Sequence, residues 1–487
     1  MERLNAWNTY DLPMQDACME FAKDYMNFLD EGKTERECVD FFVAEAEKNG
    51  YMELGRAIAE NKQLKAGDCV YSVWMNKSMV LFRIGEKPFE EGINILGAHI
   101  DSPRLDVKQN PLYEDGGIGY LDTHYYGGIK KYQYVTLPLA IHGVVVKKTG
   151  ETVIVNIGEE EDDPVFFISD LLPHLAQEQM KKNAASFIDG EALDLVIGNK
   201  PVTIDADTKP VKKGDSAEKA EDKEEKKAGK EGVTKALLRI LKDEFGIEEE
   251  DFISAELEIV PAGKARDAGF DRSMVLAYGQ DDRVCAYPSF RAQMEVTDIA
   301  RTSCTLLVDK EEIGSVGATG MQSRFFENAL AEVMQLCGQY SEIAMRRTLA
   351  NSAMLSSDVS AAFDPSYAAA FEKKNACLMG GGMVFNKFTG SRGKSGSNDA
   401  NAEYIGALRR VMDEDEVVYQ TAELGKVDLG GGGTIAYILA LYGMNVIDSG
   451  VPVLSMHAPW EATSKADIYE AFRGYKAFLR KMDFRNA

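Results

Sequence analysis

Hydrophobic and polar positions divide the chain into three stretches. Between residues 14 and 48, apolar side chains recur at helical spacing (Cys18, Phe21, Tyr25, Phe28 and Leu29, then Cys38, Phe41, Phe42 and Ala46), which predicts two amphipathic helices. Short apolar runs follow at Cys69–Trp74, Ser78–Arg83 and Ile93–Leu96, and these predict strands. From about 105 to 263 the pattern changes to β-branched runs such as Tyr134–Leu137, Gly143–Val146 and Thr152–Val155, which predict a separate β-rich insert. From about 264, strand-like runs at Met274–Tyr278, Cys304–Val308, Ala353–Leu355 and Val451–Leu454 alternate with helical patterns at 323–337, 402–412, 434–441 and 464–480. Such alternation predicts an α/β fold with a mostly parallel sheet covered on both faces. The expected organisation is one α/β domain built from residues 1–104 and 264–487, split by the insert at 105–263.

Inside the insert, Ala206–Gly232 carries eight lysines and eight acidic residues, with no aromatic. It cannot bury enough apolar surface to offset its chain entropy, so it reads as a disordered surface loop. Its balanced charge argues against a basic binding arm.

The remaining composition narrows the function. At 487 residues and 45% hydrophobic, the chain is long enough for more than one core. A net charge of −24 argues against nucleic acid or an anionic membrane as partner. Seven scattered cysteines without a Cys-x-x-Cys pair suit a reducing compartment and argue against a thiolate zinc site. No secretory signal and no 18-residue apolar run is present, and a cytoplasmic location is expected.

Candidate chemistry gathers at the ends of the expected strands. The run Cys304–Val308 leads into Asp309-Lys310-Glu311-Glu312-Ile313-Gly314-Ser315. Two adjacent carboxylates raise each other's pKa unless something cationic neutralises them. A solvated turn is the bland reading of such a pair. The sharper one is a division of labour, in which one Glu holds a metal ion and its neighbour is a general base for water. The chain has five histidines, and two of them, His99 and His457, directly follow expected strands, as do Asp282 and Asp358. Side chains just beyond the carboxyl ends of strands converge on one crevice in an open parallel sheet. Two His, two Asp and one Glu form a nitrogen and oxygen set suited to a catalytic zinc pair, with cobalt or manganese as replacements. Asp101, two residues after His99, is placed to orient its ring. Singly, a His is more often a hydrogen-bonded structural residue and a strand-end Asp more often a helix cap. Gly393-Lys394-Ser395 lacks the first glycine of a phosphate loop, since position 388 is Phe. The run Gly430–Gly433 reads either as a flexible turn or as a backbone platform for substrate, with Gly431 and Gly432 at its centre.

These residues resemble the dinuclear zinc aminopeptidases that include aspartyl aminopeptidase and vacuolar aminopeptidase I. The resemblance covers most of the chain. It rests on His99-Ile100-Asp101-Ser102-Pro103-Arg104, on Asp309–Ser315, on Ser356-Ser357-Asp358 and on Met456-His457. It implies that His99, Asp282, Glu312, Asp358 and His457 are the ligands of two divalent ions. Asp282 would bridge them, with Asp281 the alternative, because Asp281-Asp282-Arg283 stands where the family reads Leu-Asp-Asn. It also implies that Glu311 is the general base. By the same resemblance, His174 in Pro173-His174-Leu175-Ala176 assists the active site of a neighbouring subunit. The insert would dimerise, and six dimers would form a tetrahedral dodecamer. Aspartyl-specific members carry a Lys in Gly-Pro-Val-Ile-Lys; here Gly382-Met383-Val384-Phe385-Asn386 places Asn there and Lys387 one step on. A neutral or apolar first residue is then as well suited as an acidic one. The expected activity is removal of the N-terminal residue from peptides. The alternatives are another two-metal amidohydrolase or deacylase, and a non-catalytic self-assembling shell.

Overall fold

The computed structural model describes residues 4–201, 232–391 and 393–484. It comprises two compact units, one of residues 1–102 and 264–487, the other of residues 103–263.

The larger unit opens with two helices whose ends are set by their caps. Asp11 accepts the backbone N–H of Met14 at the start of Leu12–Glu31. Thr34 and Glu37 form a reciprocal capping box at the start of Glu35–Lys48. The stripe Cys18, Phe21, Tyr25, Phe28, Leu29 is buried, as are Cys38 and Phe42. These side chains pack on Tyr287 and Phe290 of the helix Gln280–Glu295.

A nine-stranded sheet forms the centre of this unit. Its middle four strands run parallel in the order Ser303–Val308, Asn94–His99, Ala353–Ser357, Asn445–Gly450. The sheet is mixed but mostly parallel, as expected: five of its eight strand pairings are parallel and three antiparallel. Ser78–Arg83 joins one flank antiparallel and Met383–Asn386 joins the other antiparallel. The strand Ser303–Val308 is buried throughout, as a central strand covered on both faces must be. Met274–Ala277 and Pro452–Leu454 belong to a second, five-stranded sheet with Glu461–Ser464.

The smaller unit is built on a six-stranded sheet with antiparallel pairing throughout. Tyr134–Leu137, expected as a strand, is a turn, and the strand runs Leu139–Val146. Thr136 has φ of 63°, which a β-branched residue does not adopt inside a strand. Residues 206–231 of the expected disordered loop lie outside the described residues, while Gly232 opens the helix Gly232–Ile240. Among the described residues, no helix is long and apolar enough to cross a membrane.

Candidate metal centre

The parallel register sets the geometry. Val308 pairs with His99, so the turn holding Glu311 and Glu312 starts beside the end of the His99 strand. Asp358 follows Ser357 on the next strand, its N–H bonded to the carbonyl of Ser449. The Glu pair lies in a 3-10 turn between Lys310 and Gly314, both in the left-handed region. Gly314, with φ of 97°, supplies a conformation that a side chain would oppose.

Asp101 ties these pieces together. One of its oxygens lies 3.3 Å from His99 Nδ1 and accepts the N–H of Glu311 at 3.1 Å, while the other accepts the N–H of Glu312 at 3.2 Å. The main-chain carbonyl of Asp101 lies 3.1 Å from the same Nδ1, so Asp101 orients the imidazole through both groups while its carboxylate holds the Glu-Glu turn.

Asp282, expected to stand between the two histidines, does not occupy that place; Asp281 does. The two oxygens of Asp281 lie 3.3 Å from His99 Nε2 and 3.2 Å from His457 Nε2. The physical reason is local. Asp281 (φ −81°, ψ 108°) and Asp282 (φ −113°, ψ 24°) are not helical, so their side chains leave the backbone in different directions before the helix begins. Asp282 is fully buried and one of its oxygens lies 3.4 Å from the N–H of His99. Glu312 lies 3.6 Å from His457 Nε2; Glu311 and Asp358 lie 3.9 and 4.0 Å from His99 Nε2. The structure therefore gathers His99, Asp281, Asp282, Glu311, Glu312, Asp358 and His457 into one cluster.

The electrostatics of the cluster call for cations. Burial opposes charge on His99, but Asp101 and Asp281 outweigh it and hold the imidazole well above its ordinary pKa. Burial likewise opposes the charge on Asp281, yet His457 and His99 hold it well below the usual carboxylate range. Burial pushes Glu312 and Asp358 well above that range, with neighbouring carboxylates adding to it. Burial raises Glu311 to about 7, opposed by His99 and reinforced by Asp101 and Asp281.

The residues fit a metal pair. His99 Nε2, Asp281 Oδ1, Asp282 Oδ1 and Glu312 Oε1 are buried without a hydrogen-bond partner. Each such atom costs about 1–3 kcal/mol when left unsatisfied. Ligand atoms about 2.1 Å from a tetrahedral zinc are about 3.4 Å from one another, and the separations of 3.3 and 3.2 Å from Asp281 to His99 and His457, and of 3.6 Å from His457 to Glu312, match that edge. Three overlapping groups each bring one ligand atom per residue within 4.8 Å: His99, Asp281 and Glu312; His99, Glu311 and Asp358; and Asp281, Asp282 and Asp358.

A family model described as aminopeptidase I zinc metalloprotease (M18) matches residues 28–479. The chain belongs to the M18 aminopeptidase family. It is 57% identical over 478 residues to the probable M18 family aminopeptidase 1 of Clostridium acetobutylicum, covering 98% of each chain. The crystal structure of the M18-family aminopeptidase of Thermotoga maritima matches with a TM-score of 0.90 at 39% identity, covering 99% of this chain and 100% of that one. The crystal structure of aminopeptidase I from Clostridium acetobutylicum matches with a TM-score of 0.87 at 54% identity, over 99% and 100% of the two chains. This M18 protein is a zinc-dependent aminopeptidase.

The other expected residues of the M18 chain have surroundings of their own. His174 is exposed in a turn of the smaller unit. Lys387 is half exposed, with its ammonium 3.1 Å from Asp399. A Cβ on Gly431 would stand 2.5 Å from the carbonyl oxygen of Gly390, so close packing already requires glycine there; Gly432 is under no such constraint. Asn386 is buried, donates to Ser360 Oγ at 2.6 Å and leaves its own Oδ1 without a partner. Sequence reasoning missed Glu461, whose carboxylate accepts the N–H of His457 and the N–H of Asp281. Its signal was an acidic residue four positions after a candidate ligand histidine.

Proposed function

We propose that the enzyme removes single residues from the free amino end of peptides at this cluster, holding two divalent ions. The observation that carries the reading is Asp281 standing between His99 and His457 with an oxygen toward each. His99 and Asp358 would complete the ligands of one ion, and Glu312 and His457 those of the other. Zinc, replaceable by cobalt or manganese, fits this donor set. When bound, the ions would polarise the scissile carbonyl and acidify a water molecule.

The chain's own residues supply the remaining chemistry. Glu311 takes the proton from the attacking water and passes it to the leaving amine. Its burial suits that task, because it raises the carboxylate toward neutral pH. Asp101 orients His99 through Nδ1 and keeps Glu311 in place through its backbone. Burial favours the neutral form of Asp282; Asp101, Asp281, Asp358, Glu311 and Glu312 carry five negative charges when ionised, one more than the four positive charges of two divalent ions. That surplus favours a substrate bearing an ammonium group, as a free peptide N-terminus does. Asn386 offers no charge to an acidic first residue, so a neutral or apolar one is as well suited.

The smaller unit supports self-association. Leu171, Leu172, Leu175 and Met180, around His174, are 46%, 49%, 67% and 69% exposed. An apolar group of this kind marks a surface covered by another chain. We assign it to a second copy, with His174 reaching that copy's site and dimers building a larger shell. A solved chain of the same fold, 20% identical, is described as a dodecamer of Saccharomyces mApe1.

The test compares unblocked with N-acetylated peptides, with and without chelator. Turnover of the free peptide alone, abolished by chelator and restored by zinc, is the expected result. Cleavage of the acetylated peptide would point to a two-metal deacylase or amidohydrolase instead, and no turnover of either would point to a shell protein.

A further inference from the structure

Glu461 is the first residue of the strand Glu461–Ser464 and is 1% exposed. One of its carboxylate oxygens accepts the N–H of His457 at 2.7 Å, and the other accepts the N–H of Asp281 at 3.0 Å. These are the two residues whose side chains face each other at 3.2 Å. A single buried carboxylate thus joins the backbones of two segments that come from distant parts of the chain.

The carboxylate is itself fixed. Glu461 pairs with Ala277 across the five-stranded sheet, so it sits beside the strand that leads into Asp281. Its carbonyl accepts the side-chain amide of Gln280 at 2.6 Å. Gln280 also donates to the carbonyl of Val275 at 3.2 Å and accepts from the hydroxyl of Thr463. On the other side, Ser102 Oγ donates to the carbonyl of Asp281 at 2.7 Å. His457 has φ of 63° and Ser455 has φ of 60°, both left-handed values that a side chain disfavours. A loop of that shape persists when its surroundings hold it, and the bond from the His457 N–H to Glu461 is such a hold.

We infer that Glu461 is a positioning residue for the metal centre: it locks the backbones of Asp281 and His457 so that their side chains share one ion without rearrangement. The inference rests on the two-ion reading above. Of the three side chains expected to hold the ion on the His457 side, Glu461 fixes two, whereas on the His99 side it fixes only the shared Asp281. Loss of Glu461 therefore acts unequally on the two ions. Groups that orient metal ligands typically contribute about 10–100-fold to affinity.

The test is zinc titration of the chelator-stripped full-length chain against a chromophoric competitor, for wild type, Glu461→Gln and Glu461→Asp. Gln keeps the size but turns an N–H donor toward a backbone N–H; Asp keeps the charge but is too short to reach both partners. Wild type should bind two ions. Each variant should bind one ion with affinity close to wild type and the other about 10–100-fold more weakly. The absorption of cobalt in the weakened position should change, and kcat/KM at limiting zinc should fall further than at saturating zinc. Two ions bound as tightly as in wild type, in whichever variant folds, would overturn the inference. So would equal weakening of both ions together with a lower melting temperature of the stripped protein, because that is the mark of a general structural role. A wild-type chain that binds no pair of ions would overturn the two-ion reading itself.

Discussion

Asp281 Oδ2 lies 3.2 Å from His457 Nε2 and Oδ1 lies 3.3 Å from His99 Nε2, and we propose on this geometry that Asp281 is the carboxylate two ions would share. Asp281→Asn replaces one of those oxygens with a donor and removes the charge. We expect zinc affinity to fall by more than about 100-fold, beyond the loss for an orienting partner. Asp282→Asn should retain both ions, since burial already favours the neutral form of Asp282 and Asn preserves that shape. Metal analysis of the two purified variants decides the matter; loss of metal from Asp282→Asn alone would return the shared position to Asp282.

Glu311→Gln keeps the shape of the side chain and removes its basicity. Turnover should fall by at least about 10²-fold, the low end for a general base, with metal content near that of wild type. Unchanged turnover would take Glu311 out of the reaction.

A third expectation concerns a carboxyl group outside the cluster. Burial raises Asp448 to about 7, against the opposing hydrogen bond from Thr434. The folded state then holds a proton that the unfolded chain has released above its own pKa near 4. The contribution of Asp448 to stability is therefore fully present below about pH 4, falls as pH rises to about 7, and levels off above that. Asp448→Asn keeps an acceptor for Thr434 and does not titrate. Its stability relative to wild type should rise across that window, by up to about 4 kcal/mol. Urea unfolding of chelator-treated protein at pH 4, 5.5 and 8 measures it, and a difference independent of pH would show that Asp448 titrates normally.

Much of the site was legible because apolar strands end abruptly. His99, Glu311, Glu312 and Asp358 each follow a buried run that the sequence displays, and parallel pairing brings those ends together. The choice between Asp281 and Asp282 depends on backbone angles at two adjacent residues, which composition does not encode. The helix Gln280–Glu295 was not readable either. It is buried from Gln280 through Phe290 and contains Pro288, so it shows no apolar stripe and carries a residue that argues against a helix. The antiparallel flanks of the central sheet follow from chain connections between distant segments. Glu461 leaves one faint trace in the sequence, its place four residues after His457; its role shows only in the two backbone N–H groups it accepts.

The last prediction concerns His174. It is exposed, beside apolar side chains that are themselves largely exposed, and so it has little to contribute to the stability of a single chain. Surface substitutions of this kind usually shift stability by about 0.5 kcal/mol or less. If His174 donates a hydrogen bond to the reacting group in a neighbouring copy, His174→Phe should lower kcat by about 10²-fold, the low end for loss of one such donor. Metal content and melting temperature should be unchanged. A mixture of His174→Phe and Glu311→Gln chains gives the sharper result. In a mixed dimer, one site keeps its own Glu311 and receives a sound His174 from the other chain, so activity should exceed the sum of the two parents after dissociation and reassembly. Recovery no greater than that sum, with mixed dimers confirmed by mass, would show that His174 does not act across the interface.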